Sequence, residues 1–102
     1  MATEVQYSNK AKKGKDNLTQ DERDILDLLE QDLRETEGKP FGRGWFNIGP
    51  VKQLGNDIQH CHLHKRKPEK VVVWKVTKTK KGKETQCIVR IEYVGTREKA
   101  PF

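Results

Sequence analysis

Three imidazoles fall at alternate positions in the stretch Ile58-Gln59-His60-Cys61-His62-Leu63-His64. Histidine is the side chain whose ordinary pKa lies nearest neutrality, so a pair can hold a neutral base and a protonated acid at one pH. If the stretch is a strand, its period of two sends Cys61 and Leu63 to one face and His60, His62 and His64 to the other. A lone strand histidine is ordinarily a surface residue or a satisfied hydrogen-bonding group. Three on one face, followed by Lys65, Arg66, Lys67 and Lys70, point instead to a phosphate-binding or acid–base site.

The chemistry that needs little else is cleavage of RNA. A base takes the proton of the 2′-hydroxyl, that oxygen attacks the adjacent phosphorus, and an acid protonates the departing 5′-oxygen. Fixed cations must then stabilise the charge that builds on the phosphorane. Arg97, in the closing run Tyr93-Val94-Gly95-Thr96-Arg97-Glu98-Lys99, is the candidate, because its planar fork can hold two phosphate oxygens. Lys99 or Arg90 would support it, and the competing reading is a surface ion pair from Arg97 to Glu98 or Glu92. His-x-His beside a cysteine also raises zinc. The pattern does not suit it: Cys61 points away from the imidazoles, Cys87 lies on another segment, and no C-x-x-C or second pair at zinc spacing occurs. Neither a metal nor another cofactor is expected.

The formal net charge of +6 is unevenly distributed. Residues 18–38 hold eight acids against Arg23 and Arg34, whereas residues 39–102 hold fifteen lysines and arginines against five acids. The latter part is the one that would face a polyanion, because a dense positive field attracts phosphates and releases counterions on contact. With 102 residues and 32% hydrophobic content the chain supports one modest core. No apolar run is long enough to cross a bilayer and no apolar leader stands at the N-terminus, so the expected compartment is the cytoplasm, with no membrane partner. Cys61 and Cys87 lie in strand-like segments and read as buried thiols rather than a disulfide.

The elements that must position these residues can be read in turn. Residues 1–17 read as a basic N-terminal segment, in which a short edge strand at 4–8 is allowed and the rest is loop or flexible tail. Residues 18–102 read as the single domain. Thr19 with Glu22 is a capping box, and Ile25, Leu26, Leu29 and Leu33 then share one side of a helix, with Leu28 at its margin. Arg23, Asp27, Glu30 and Arg34 would form ion pairs on its outer face. Gly38 and Pro40 stop it. Residues 41–55 interleave glycines with Phe41, Trp45, Phe46 and Ile48, a turn-rich link whose aromatics close the helix-to-sheet seam, with a short helix at 50–54. Strands at 57–64, 70–77 and 85–94 follow, the last two joined by a lysine-rich turn, which implies an antiparallel meander.

The order of capped helix, Gly/Trp link, strand Gln59-His60-Cys61-His62-Leu63, strand Val71-Val72-Val73-Trp74-Lys75-Val76 and closing Val94-Gly95-Thr96-Arg97-Glu98-Lys99 resembles the RelE/ParE toxin superfamily over about residues 20–102. The resemblance implies a small RelE-like α+β fold, an N-terminal helical hairpin packed on a curved antiparallel sheet. It also implies a toxin of a toxin–antitoxin system, of the RelE branch, which cuts mRNA in the ribosomal A site, or the ParE branch, which inhibits gyrase. His60 and His62 stand where RelE-type toxins often carry acid–base residues, and Arg97 matches the arginine that contacts the scissile phosphate. Val71 stands where an arginine is usual and Phe102 where a tyrosine is frequent, which leaves a catalytically inactive RNA-binding relative as a further alternative.

On this reading His62 is the favoured base and His60 the favoured acid, two assignments that can be exchanged, and Arg97 is the charge stabiliser. His64, Lys65, Arg66, Lys67, Lys70, Lys80, Lys81, Lys83, Arg90 and Lys99 would bind RNA phosphates, since lysine-rich turns suit sequence-independent contact with ribosomal RNA backbone. The implied partners are the ribosome with its 16S rRNA, mRNA, and a cognate antitoxin covering the basic face.

Overall fold

Thr19 begins the longest helix as its residue types require. Its side chain accepts from the Glu22 N–H at 3.2 Å, and the Glu22 carboxylate accepts from the Thr19 N–H at 3.0 Å. The computed structural model describes residues 2–55 and 57–101, and this helix, α2, spans Gln20–Glu35. It follows strand β1 (Ala2–Tyr7) and helix α1 (Asn9–Asp16), and precedes β2 (Phe46–Pro50), β3 (Ile58–His62), β4 (Lys70–Lys81) and β5 (Glu84–Thr96). A single 3₁₀ turn, Arg97–Lys99, comes after β5. At the C-terminal end of α2, Glu37 and Gly38 adopt positive φ, and the Gly38 N–H returns to the Leu33 carbonyl at 2.8 Å. A Cβ at Gly38 would come within 2.5 Å of Val76, so the glycine is needed for close approach as well as for its φ.

The five strands lie in the order β1-β5-β4-β3-β2. β2–β3, β3–β4 and β4–β5 are antiparallel, as a meander with short connections dictates, but β1 runs parallel to β5. The sheet is therefore mixed rather than wholly antiparallel: β1 and β5 are the two ends of the chain, so no hairpin sets their relative direction. The helices cover one face of the sheet, where Leu26, Leu29, Leu33 and Ala11 meet Cys61, Leu63, Val72, Trp74, Cys87, Val89, Ile91 and Val94. Trp74 is fully buried there, and its indole N–H donates to the Gly38 carbonyl at 2.9 Å. The opposite face carries a smaller apolar cluster of Val51, Val71, Val73 and Tyr93.

The structure differs from the sequence reading at four places. Residues 9–16 are helical rather than loop; α1 buries only Ala11, so no apolar stripe announces it. Contact fixes it instead. The Ser8 hydroxyl accepts from the Ala11 N–H at 3.1 Å and donates to the Glu92 carbonyl at 2.9 Å, which caps α1 and ties it to β5. Residues 50–54 form no helix, because the chain from Phe46 to Pro50 adds to the outer edge of β3, where a proline sacrifices no ladder bond. Among the described residues Arg23 makes no ion pair on the outer face of α2; its guanidinium donates to the Lys15 and Asp16 carbonyls at the end of α1. Of the link aromatics only Trp45 closes the seam, donating to Asp32 at 2.8 Å, while Phe41 and Phe46 are exposed.

One irregularity matters for the site. Val73 pairs with Tyr93 but Trp74 pairs with Ile91, so β5 carries an extra residue, Glu92, opposite β4. This bulge reverses the alternation of β5: Val89 and Ile91 face the helices, whereas Tyr93 beyond it faces the other side. Ser8 binds the backbone at the bulge, its N–H donating to the Ile91 carbonyl at 2.9 Å.

Candidate active site

β3 places His60 and His62 on the face away from the helices, opposite Val73 and Val71 of β4 and Gly49 and Phe46 of β2. Their ring centroids are 6.0 Å apart. His60 Nδ1 lies 2.9 Å from the Gly49 carbonyl. A carbonyl can only accept, so Nδ1 carries the proton and Nε2 is the basic nitrogen of the neutral ring. His62 is only 4% exposed, and its Nδ1 lies 3.3 Å from a Glu69 carboxylate oxygen. That is within ion-pair distance, but the angle leaves this buried nitrogen without a hydrogen bond. The carboxylate nevertheless favours a proton on Nδ1, again leaving Nε2 as the proton acceptor.

Burial pushes the His62 pKa below the ordinary histidine value, and the nearby His60 and Arg97 charges push the same way, against the pull of Glu69. His62 is thus held neutral. A charge on His60 is one of the forces that disfavour a proton on His62. This is the electrostatic condition for one ring to act as base while the other acts as acid.

Arg97 enters the site through the turn after β5. Its backbone N–H donates to the Glu69 carbonyl at 3.0 Å, so Glu69 reaches His62 with its side chain and fixes Arg97 with its main chain. The Arg97 side chain makes no ion pair among the described residues; Glu92, one expected partner, binds Arg90 at 3.3 Å instead. Lys67, Pro68, Glu69, Thr96, Arg97 and Glu98 line a cleft of about 370 Å³, of which Glu69 is the member that reaches His62. Tyr93 holds the approach to this turn, its hydroxyl donating to the Thr96 carbonyl at 2.7 Å.

The other sequence candidates divide. Lys67 lines the Arg97 cleft, Lys99 sits in the same turn but lines a separate cleft between α1 and the end of β5, and Lys65 lies across the Phe46 ring at 5.0 Å. His64 does not join the other imidazoles. The chain leaves β3 after His62, and His64 Nε2 meets Glu22 of α2 at 2.6 Å while its Nδ1 accepts the Arg66 N–H at 3.1 Å. These roles specify a neutral ring donating from Nε2. Lys70 also binds Glu22, at 3.3 Å to both carboxylate oxygens. His64 and Lys70 are therefore parts of an internal cluster that joins α2 to the sheet rather than open phosphate ligands. Lys80, Lys81 and Lys83 occupy the β4–β5 hairpin tip, exposed and roughly 25 Å along the strand from Val73. Arg90 lies roughly 20 Å up β5 from Arg97 and outside the site.

Sequence reasoning missed Glu69. Its signal is local charge: between Asp57 and Glu84 it is the sole acid in a strongly basic stretch. Val71 is fully buried opposite His62 and supplies no charge, and Phe102 lies outside the described residues. Among the described residues no group of three or more His, Cys, Asp or Glu side chains converges as a metal-binding cluster, and no helix is long and apolar enough to cross a membrane.

No protein-family profile matches the chain, and no curated protein does. Among solved structures it is similar to a chain of the crystal structure of the E. coli DinJ-YafQ toxin–antitoxin complex, with a TM-score of 0.68 and 17% identity over 100% of both chains. The likeness shows the fold: two helices on a five-stranded mixed sheet, an α+β arrangement.

Proposed function

We propose that this chain is a toxin of a toxin–antitoxin system and acts as a metal-independent endoribonuclease on mRNA at the ribosome, in the cytoplasm. The observation that carries this reading is the pairing of His60 and His62 on one face of the sheet, with Glu69 reaching His62 through its carboxylate and the Arg97 backbone through its carbonyl. His62, kept neutral by burial, takes the 2′-hydroxyl proton at Nε2. The freed oxygen attacks the adjacent phosphorus. His60, entering the step as the imidazolium with its second proton on Nε2, gives that proton to the 5′-oxygen as the P–O bond breaks, and Arg97 spreads the phosphorane charge. Val71 offers no second cation there, so Arg97 with Lys67 bears that role. The cleaved ends are a 2′,3′-cyclic phosphate and a 5′-hydroxyl.

The similarity to a toxin–antitoxin complex supports an antitoxin as cognate partner, since a free nuclease would harm its host. The hairpin lysines Lys80, Lys81 and Lys83 would contact ribosomal RNA, 16S rRNA included, as a remote docking surface. The competing readings are a gyrase inhibitor of the ParE type and an inactive RNA-binding relative. Brief induction in growing cells separates all three. The nuclease reading expects growth arrest with cut mRNA and unchanged plasmid supercoiling; altered supercoiling with intact mRNA would favour the first rival, and arrest without either would favour the second.

A further inference from the structure

The lysines of α1 have no part in the site described so far. Lys10, Lys12, Lys13 and Lys15 crowd an eight-residue helix whose first turn contains no acid. A cation near a helix N-terminus opposes the dipole by about 0.3–1 kcal/mol at an exposed site, so the place of Lys10 is one that local energetics disfavour. Its ammonium lies 5.4 Å above the Tyr93 ring, at a cleft of about 240 Å³ between α1 and the end of β5. Lys10, Lys99, Tyr93, Gly95 and Thr96 are among its walls. The position of α1 is fixed by contact, because a Cβ at Gly14 would come within 1.7 Å of the Val94 carbonyl oxygen.

Thr96 lines this cleft and the Arg97 cleft alike, so the two meet at the last residue of β5. Lys70, also in the wall, is neutralised by Glu22. Lys10 and Lys99 have no carboxylate partner among the described residues. Two cations without a carboxylate partner, in a cleft that shares Thr96 with the Arg97 cleft, suit a polyanion that already occupies the first cleft.

We infer that the α1–β5 cleft is a second phosphate subsite, in which Lys10 and Lys99 hold the backbone of a single-stranded RNA as it leaves the Arg97 cleft. The inference rests on the nuclease reading for the direction of the strand, and its test uses RNA that cannot be cut. Fully 2′-O-methylated oligonucleotides, a trinucleotide and a dodecanucleotide, are titrated by fluorescence anisotropy over a range of salt. Lys10→Gln combined with Lys99→Gln is expected to weaken the dodecanucleotide about tenfold and to flatten its salt slope by about 1.4, two single-strand phosphate contacts, while leaving the trinucleotide unchanged. Lys10→Arg with Lys99→Arg restores binding, and Lys13→Gln, exposed on the same helix outside the cleft, is silent.

Equal losses for both lengths would reduce the effect to general charge and overturn the subsite. So would an unchanged dodecanucleotide, or a wild type that binds neither. An equal loss for a duplex RNA hairpin would overturn it too, by placing these lysines against structured RNA. A length-dependent loss in a protein that fails to cut native RNA leaves the subsite standing and sinks the nuclease reading alone.

Discussion

At the scale of single residues the proposed chemistry turns on how burial and charge set His62 against its neighbours. Replacing His60 or His62 by Ala removes a proton-transfer group and should each lower single-turnover cleavage by about 10²–10⁴; losses no larger than that of His64→Ala would end the acid–base assignment. The pH profile carries a sign. A base must be neutral, so the rate falls as pH drops through the His62 pKa, and since burial first, then His60 and Arg97, lower that pKa, the acid limb should lie below the ordinary value of 6.5. Glu69→Gln removes the charge that raises it and should move the limb lower still. An acid limb above 6.5, or one that rises in Glu69→Gln, contradicts the assignment. Arg97→Lys should retain RNA binding and slow turnover, and Arg97→Ala should slow it further, because an ammonium cannot reproduce the bidentate fork. If Arg97 were only a surface ion-pair partner, worth about 0–1 kcal/mol, both variants would turn over like the wild type.

At the scale of elements the Glu22 cluster joins α2 to the sheet. Burial alone would raise the Glu22 pKa, yet the hydrogen bonds from His64, the Thr19 N–H and Lys70 lower it from 4.5 to about 2. A carboxylate whose folded pKa is depressed contributes stability that is present above pH 4.5 and lost as pH falls towards 2, here roughly 3 kcal/mol. Urea denaturation across that window should show the loss in the wild type and little of it in Glu22→Gln. Gly14 offers a reversal of the usual rule. A mid-helix Gly→Ala change normally stabilises by about 1 kcal/mol, but the Cβ would strike the Val94 carbonyl, so Gly14→Ala should lower the melting temperature. The capping box, the apolar stripe of α2 and three of the strands were legible because each is written in local periodicity. α1, β2 and the Glu92 bulge were not, since α1 has one buried residue, β2 is an edge completed by β3, and a bulge shows only when two strands are in register. The same limit applies to the site. Alternation put His60 and His62 on one face, but His64 lies past the end of β3, and nothing local tells that it turns back to Glu22.

At the scale of the molecule the separation of charge defines a basic sheet and hairpin against an acidic α2. Association with ribosomes should weaken steeply with salt, and replacing Lys80, Lys81 and Lys83 by Gln should flatten that slope by about 0.7–0.9 for each phosphate that the hairpin no longer neutralises. An unchanged slope would move the docking surface off the hairpin. The most direct test joins all three scales: end chemistry of RNA cut by the purified protein on programmed ribosomes, compared with His60→Ala and His62→Ala. The wild type should leave 5′-hydroxyl and 2′,3′-cyclic phosphate ends, and these should nearly disappear in either variant while ribosome binding persists. Ends bearing a 5′-phosphate, or cyclic-phosphate ends that both variants still produce at the wild-type rate, would contradict proton transfer by this histidine pair.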